Sequence, residues 1–363
     1  MKNSFGDALT LTLFGESHGP MIGATLDGLA PGMDVDEDSI RAALDLRRPQ
    51  GKISTARSEA DQFQIVSGVF NGKTTGTPLT LLIPNADTKS GDYRYGVARP
   101  SHADLTGYLK YHGFEDYRGG GHFSGRLTAA VTAVCAPLRD ALRKKGIGIG
   151  THIRKIGGIF DREFDAADPF SDIDALASRP FPVLDDTAEE AMTRRIEEAA
   201  AEGDSVGGVL ETLIAGLPAG LGEPFFDSAE SRLAHAVFSV PAVKGVEFGA
   251  GFGFADMTGS AANDPIRVSP DGGFYTLTNH NGGINGGITN GMPVLMRTAV
   301  KPTPSIRKEQ DTVNFLTGEN AVTEVRGRHD PAVIHRARIV VDSLCAFVLA
   351  DLLTGRFGTD TLA

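Results

Sequence analysis

Three consecutive glycines placed directly before a long apolar helix constrain this chain more than any other stretch. The segment Arg99 to Lys145 opens with RPSHAD, passes through EDYRGGGHFSGR and closes in an apolar run. Gly119, Gly120 and Gly121 let a backbone approach a ligand closely, because side chains there would block it. Ser124 then stands where a helix N-cap belongs, with Arg126 in the first turn. Leu127, Ala130, Val131, Val134, Cys135, Leu138 and Leu142 follow at helical spacing, and Arg143, Lys144 and Lys145 precede Gly146. A glycine loop feeding a helix N-terminus suits an anion, since free N–H groups and the helix dipole face it. Arg99, Arg118 and Arg126 add full positive charges nearby. Ala129, Ala133 and Ala136 put small residues on most faces, so the helix is expected to be buried among other elements.

The rest of the chain is compatible with such a core. At 363 residues it can bury one large domain or two, and 41% hydrophobic with 22% charged residues is ordinary for a soluble globular protein. A net charge of -11 argues against broad nucleic-acid binding, while the cations cluster near glycines, which suggests a small anionic ligand. No apolar run approaches a membrane span, and the start MKNSFGDALTLTLFGESHG lacks the regions of a signal peptide. Cys135 and Cys345 each sit in an apolar helical run and are read as buried reduced thiols of a cytoplasmic protein. No Cys/His cluster has the spacing of a metal site.

Taken in order, Ala8 to Phe14 is a strand candidate that delivers Glu16-Ser17-His18-Gly19-Pro20, and Ile22 to Leu26 resumes as a second strand. The polar turn between them is either a reacting site or a hydrogen-bonded turn with a spectator His; the pentapeptide does not choose. Asp36 to Asp45 reads as a helix capped by Asp36 or Asp38, ending in the basic loop Arg47 to Lys52, which most simply is a solvated helix end. Phe63 to Phe70 is a strand, Asn71-Gly72 a hairpin turn, and Thr80 to Ile83 a strand. Asn85 to Tyr95 is polar and irregular. Beyond the central helix, Gly146 to Arg162 reads as strands, Asp165 to Asp186 as a surface excursion, Thr187 to Gly203 as a helix and Val206 to Gly216 as a strand. Ser228 to Phe238 is a further helix, followed by a turn at Pro241 to Gly245. Gly249, Gly251 and Gly253 lack the following helix and third glycine of a nucleotide fingerprint.

The stretch NHNGGINGGITNGMP (Asn279 to Pro293) permits positive φ and exposes backbone amides. Apolar strands at Phe274 to Leu277 and Val294 to Val300 are expected to clamp it. Lys301-Pro302-Thr303-Pro304-Ser305 offers one cation and two hydroxyls on a stiff backbone, suited to a phosphate. Finally RGRHDP (Arg326 to Pro331) leads into the helix Ala332 to Leu353, with Pro331 at its first position and Asp330 as N-cap. Without a convincing boundary, the chain is expected to form one α+β domain over 1–363.

Together GESHGP (Gly15 to Pro20), RRP with SGV and GTP in Arg47 to Pro78, RPSHAD, DYRGGG (Asp116 to Gly121), HNGGINGGITNGMP, KPTPS and GRHDP resemble chorismate synthase, in the family's order from about residue 8 to 350. The resemblance implies a helical layer sandwiched between two mostly antiparallel β-sheets, and a homotetramer. It implies conversion of 5-enolpyruvylshikimate-3-phosphate to chorismate and phosphate by anti-1,4-elimination, the last step of the shikimate pathway. Reduced FMN is required without net redox change.

By the same resemblance, Ser17 and His18 match the motif whose His protonates the departing phosphate. His102 matches the His beside the flavin's N1–O2 edge, and Asp330 the aspartate that keeps N5 deprotonated. Arg48, Arg57, Arg99, Ser124, Arg126 and Arg328 match positions gripping phosphate and carboxylates. Positions matching FMN contacts are His122, Phe123, Ser124, Ala242, Gly286, Lys301, Pro302, Thr303, Pro304, Ser305 and Arg328. Departures are His122-Phe123 where many members carry Arg-Ser, Leu127 in place of Glu, Pro241 in place of Asn, and a shorter basic loop after Arg48. Some members reduce their own FMN with NADPH; with no added reductase domain, an external reductant is expected. A non-catalytic phosphate-ligand binder would be favoured only if Ser17, His18, His102 or Asp330 were lost, and none is. A flavin oxidoreductase would need a nicotinamide site.

Overall fold

In the computed structural model, which describes residues 2–49, 53, 61–86, 95–324 and 330–363, two antiparallel sheets enclose a layer of helices. The first sheet runs in the order Ser4–Phe5, Thr10–Gly15, Met21–Asp27, Leu79–Pro84, Gln64–Ser67. The second runs Val243–Phe248, Val294–Val300, Gly208–Ala215, Gly148–Ile156, Ile159–Phe160. The helices are α1 (Glu37–Arg47), α2 (Asp104–Tyr111), α3 (Thr128–Lys144), α4 (Pro169–Leu176), α5 (Asp186–Ala201), α6 (Ala229–Phe238), the single turn α7 (Gly259–Ala262) and α8 (Ile334–Phe357).

The layering follows from the side chains. Alternation in the first sheet turns Ile22, Ala24, Leu26, Leu79, Leu81 and Ile83 inward, all buried. They meet α3, which packs in turn along α8, and α8 lies on the second sheet. A helix in a middle layer must be apolar all round. In α3 the alanines 129, 130, 133 and 136 are buried beside Val134, Leu138 and Leu142, and α8 is buried over most of its length. One continuous core therefore runs through all layers. Among the described residues no helix is long and apolar enough to cross a membrane.

Local signals held where short-range chemistry decides. Asp36 caps α1 by accepting from Asp38 N at 2.9 Å, and Ser228 caps α6 from Ser231 N at 3.0 Å. Asn71 and Gly72 both have positive φ, 51° and 72°, closing the expected hairpin Val69–Phe70/Lys73–Thr74. Four readings need correction. The segment 165–186 is no mere excursion: it contains α4, and Ile173, Leu176, Phe181 and Val183 are core residues. Asp172 makes this possible by binding Arg162 at 2.9 and 2.5 Å and Asp165 N at 2.8 Å. Pro241 to Gly245 is the entry to a strand rather than only a turn, with a register shift between Val243 and Gly245. The hairpin containing Phe274 does not clamp the glycine stretch from within a core, because Ile266, Val268 and Phe274 are exposed. Lastly, α8 begins at Ile334 with Val333 at the cap position, so Asp330 does not cap it and Pro331 is not its first residue. The Pro331 carbonyl instead accepts from Val206 N at 2.9 Å, which holds the chain extended before the helix can start.

The second sheet carries a charge network centred on the buried His152, Asp161 and Glu211. His152 Nδ1 meets Asp161 at 2.6 Å and Nε2 meets Glu211 at 3.2 Å, while Arg297 Nε donates to Glu211 at 2.6 Å. Burial pushes the imidazole's pKa down, but the two carboxylates outweigh it and hold it above the ordinary value. A raised folded pKa means this contribution is full below about pH 6.5 and is lost as pH rises through the folded value. His152→Ala leaves two carboxylates facing an empty site and should cost roughly 3–5 kcal/mol in urea unfolding near pH 6. A variant as stable as the parent would show that the imidazolium is not part of the folded state.

Candidate functional site

The turn Glu16–Pro20 joins the paired strands Thr10–Gly15 and Met21–Asp27 at the end of the first sheet. Ser17 and His18 are both buried. The Ser17 hydroxyl lies 3.0 Å from the Gly119 carbonyl and 3.0 Å from His18 Nδ1, and Ser17 N donates to Gly121 O at 3.1 Å. A carbonyl can only accept, so Ser17 spends its one proton there and accepts from Nδ1–H. In that network His18 carries a proton on Nδ1, held toward Ser17 Oγ. The glycine run above this turn is left-handed throughout, at φ 62°, 82° and 52°. A Cβ on Gly119 would stand 2.0 Å from the His18 ring, so only glycine admits the histidine here.

Ser124 caps a 3-10 turn, Gly125–Leu127, that leads into α3, its hydroxyl accepting from Arg126 N at 3.3 Å. Arg126 is buried and points back toward the first sheet. Its guanidinium donates to Asp61, to Asn85 Oδ1 at 3.1 Å and to Pro84 O at 3.2 Å. Asp61 also accepts from Arg47 Nη2 at 2.8 Å. Burial would raise the Asp61 pKa, but the two guanidiniums outweigh it and hold it below the usual carboxylate range. Burial, opposed by Asp61, brings Arg47 down to about 10. Arg47 is thus no solvated helix end, since only 5% of it is exposed. Arg336 joins the cluster by donating to Arg47 O at 2.9 Å and to Asp330 Oδ2 at 2.7 Å.

On the other side of the glycine run lies a cleft of about 1160 Å³. Of the expected positions, Arg99, His102, His122, Phe123, Ser124, Ala242, Lys301, Pro304 and Ser305 form its walls. His102 Nε2 meets Ser305 Oγ at 2.8 Å, and Lys301 Nζ donates to Ser101 O at 2.7 Å. His122 Nδ1 lies 2.8 Å from Gly15 O, tying the glycine run to the first sheet. Ala242 holds a positive φ of 77°, and its carbonyl accepts from Lys301 N at 2.9 Å. Burial, with Arg99 and Lys301 close by, brings the His102 pKa down to about 4 against the opposing pull of Asp104.

The remaining positions lie elsewhere. Arg48 pairs with Asp45 at 2.8 Å. Pro302 and Thr303 stand behind the cleft wall; Thr303 O accepts from Ser205 at 2.6 Å, while its own hydroxyl is buried without a hydrogen-bond partner among the described residues. Gly286 turns the small hairpin Ile284–Asn285/Ile288–Thr289, away from the cleft. Arg57 and Arg328 lie outside the described residues. Nor do the arginines flanking the glycines present bare charge: Arg99 forks onto Asp104 at 2.8 Å and Arg118 onto Asp116 at 2.8 Å. Sequence reasoning missed Asp61 and Asn85, whose partners are distant along the chain. It also passed over Lys244, brought near Lys301 by the pairing of Val243 with Val300.

The cleft has a lining that could hold a planar anionic group. Its volume exceeds the roughly 300–1,000 Å³ of ordinary ligand sites, leaving room for two molecules. Tyr117, Phe123 and Phe315 supply flat apolar surface, and Lys244 and Lys301 supply charge.

The sequence matches the family model described as chorismate synthase over residues 9–354. A relative named chorismate synthase from Korarchaeum cryptofilum is 46% identical over 353 residues, spanning 96% of this chain and 96% of its own. Another of that name, from Thermococcus gammatolerans, is 45% identical over 354 residues, spanning 97% of both. A solved structure described as a crystal structure of chorismate synthase superposes with a TM-score of 0.78 at 30% identity, covering 98% of this chain and 94% of that one.

The depressed pKa of His102 gives a direct check. The folded state prefers the neutral ring, so its contribution to stability is full above about pH 6.5 and is lost as pH falls toward 4. In the ligand-free protein an NMR titration should show His102 staying neutral down to about pH 4. An inflection at the ordinary histidine value would contradict the burial and the neighbouring cations together.

Proposed function

Because this chain belongs to the chorismate synthase family, we propose that it is the lyase converting 5-enolpyruvylshikimate-3-phosphate to chorismate and phosphate, with reduced FMN as cofactor. The observation that carries this reading is the placement of the Ser17–His18 turn directly beneath a glycine run whose other face walls the cleft. Reduced FMN, when bound, supplies electron density that eases phosphate departure and a place for the proton lost from carbon 6.

The protein's own residues do the rest. We assign to His18 the protonation of the leaving phosphate through Nε2, with Ser17 fixing the ring through Nδ1. His102 is neutral at physiological pH and so keeps both a donor and an acceptor, Ser305 engaging one of them. Asp330 is assigned the proton-holding carboxylate, kept in place by Arg336. Substrate binding is assigned to Arg48, Arg57, Arg99, Ser124, Arg126 and Arg328. FMN binding is assigned to His122 to Ser124, Ala242, Gly286, Lys301 to Ser305, and Arg328. Arg126 and Arg99 would bind anions while already paired with aspartates, so their planar forks are pre-oriented. Gly286 would reach a cleft only across a contact between copies, in keeping with a homotetramer. A cytoplasmic setting and an external flavin reductant complete the proposal.

Turnover should need reduced FMN without consuming it: anaerobic protein with dithionite-reduced FMN should form many chorismates per flavin. Flavin oxidised in step with product would sink the assignment. Asp330→Asn keeps the shape of the side chain and an oxygen for Arg336, so the lost charge should lower the melting temperature without preventing folding. If the carboxylate holds a proton in the reaction, kcat should fall by about 10²–10⁴-fold. A variant with most of its kcat intact would remove Asp330 from that role.

A further inference from the structure

We propose that Asn85 is a positioning residue that sets the Ser17–His18 turn and Arg126 in fixed relation to one another; the proposal rests on the functional reading above. Asn85 directly follows the strand Leu79–Pro84, and its backbone N–H donates to Pro20 O at 3.1 Å, extending the ladder past the last paired residues. Its side chain then reaches both ends of the polar turn, Nδ2 donating to Glu16 O at 2.9 Å and to Gly19 O at 2.8 Å. Those two carbonyls can only accept, so the amide nitrogen must face them and Oδ1 must face away. Oδ1 is taken by Arg126 Nε at 3.1 Å.

An amide is the side-chain group that meets this arrangement. It gives two donors to one side and an acceptor to a guanidinium on the other. An ionised aspartate would set its charge against two carbonyl dipoles and lose both donors. An alanine would leave the carbonyls to water and free the turn to shift. Asn85 is outside the cleft walls, so a change there should alter the alignment of His18 with Arg126 and leave the cofactor's surroundings intact. Small misplacements of reacting groups can cost on the order of 10²-fold in rate.

The test uses the full chain with Asn85→Ala and Asn85→Asp, read by anaerobic turnover, FMN titration and NMR of the histidines. The expected result for Asn85→Ala is a kcat loss of roughly 10²-fold with FMN affinity unchanged. The His18 resonances should shift and those of His102 should not. Asn85→Asp should lose activity at neutral pH and regain part of it, relative to the parent, as acid protonates the new carboxyl. A double variant with His18→Ala should lose less than the product of the two single losses, because part of the effect of Asn85 passes through His18. Wild-type kcat in Asn85→Ala, losses that simply add in the double variant, or unmoved His18 resonances would each overturn the proposal. Should the alanine variant fail to fold, Asn85→Asp, which matches the parent in volume, carries the same measurements. A parent protein that binds FMN and never turns over would instead overturn the functional reading and this proposal with it.

Discussion

One buried carboxylate, Asp61, lies between two buried guanidiniums, and the arrangement of the site depends on it. Taking three charges out of water is costly, and a buried ion pair is weak evidence for stability. What the cluster fixes is geometry. Arg47 comes from the end of α1, Arg126 from the turn before α3, Arg336 from α8, and the Pro84 and Asn85 acceptors from the end of a first-sheet strand. Elements from the helical layer and the first sheet thus meet in one cluster, and neither Arg47 nor Arg126 can shift without taking a partner from Asp61. Asp61 itself holds a positive φ of 45°, a conformation that a non-glycine residue keeps only when its surroundings enforce it.

Beside this cluster, backbone replaces side chains as the building material. Gly119 passes within the space of the His18 ring, and Gly121 turns so that a Cβ would stand 1.9 Å from the Asp116 carbonyl. The carbonyls of this run accept from Ser17 on one face, while the other face forms the cleft wall. A single peptide layer therefore separates His18 from the cleft, thinner than any wall of side chains could be. That economy explains why three adjacent residues must all tolerate left-handed backbone.

How much of this was legible depends on the range of the interaction concerned. The Ser124 cap, the helix after it and the Asn71-Gly72 turn are set by neighbours a few residues away, and periodicity or turn chemistry reveals them. The layer order follows from α3 and α8 carrying small or apolar residues on most faces. Asp330 misled because Asp-Pro before an apolar run is a good helix start, whereas the actual start is displaced by a bond between Val206 and Pro331. Arg47 looked like a solvated end because nothing local shows that Asp61 would return to it. The motif resemblance grouped His102 with Ser305, now 2.8 Å apart, although 203 positions separate them in sequence. It could not indicate that Arg99, Arg118 and Arg126 would each arrive already holding an aspartate.

Those aspartates change how the site can recognise anions. An arginine fork engaged by a carboxylate attracts a distant anion weakly, but its plane is fixed in advance, so a ligand group that fits it pays little orientational entropy. Lys244 and Lys301 differ: among the described residues neither has a carboxylate partner, and each is a compact, strongly hydrated charge on a flexible stem. The cleft thus has an end where positive charge is gathered, and behind the glycine run lies a cluster whose arginine planes are fixed in advance. In a chain of net charge -11, positive charge gathered at one end of a cleft suits a small anion better than a polyanion.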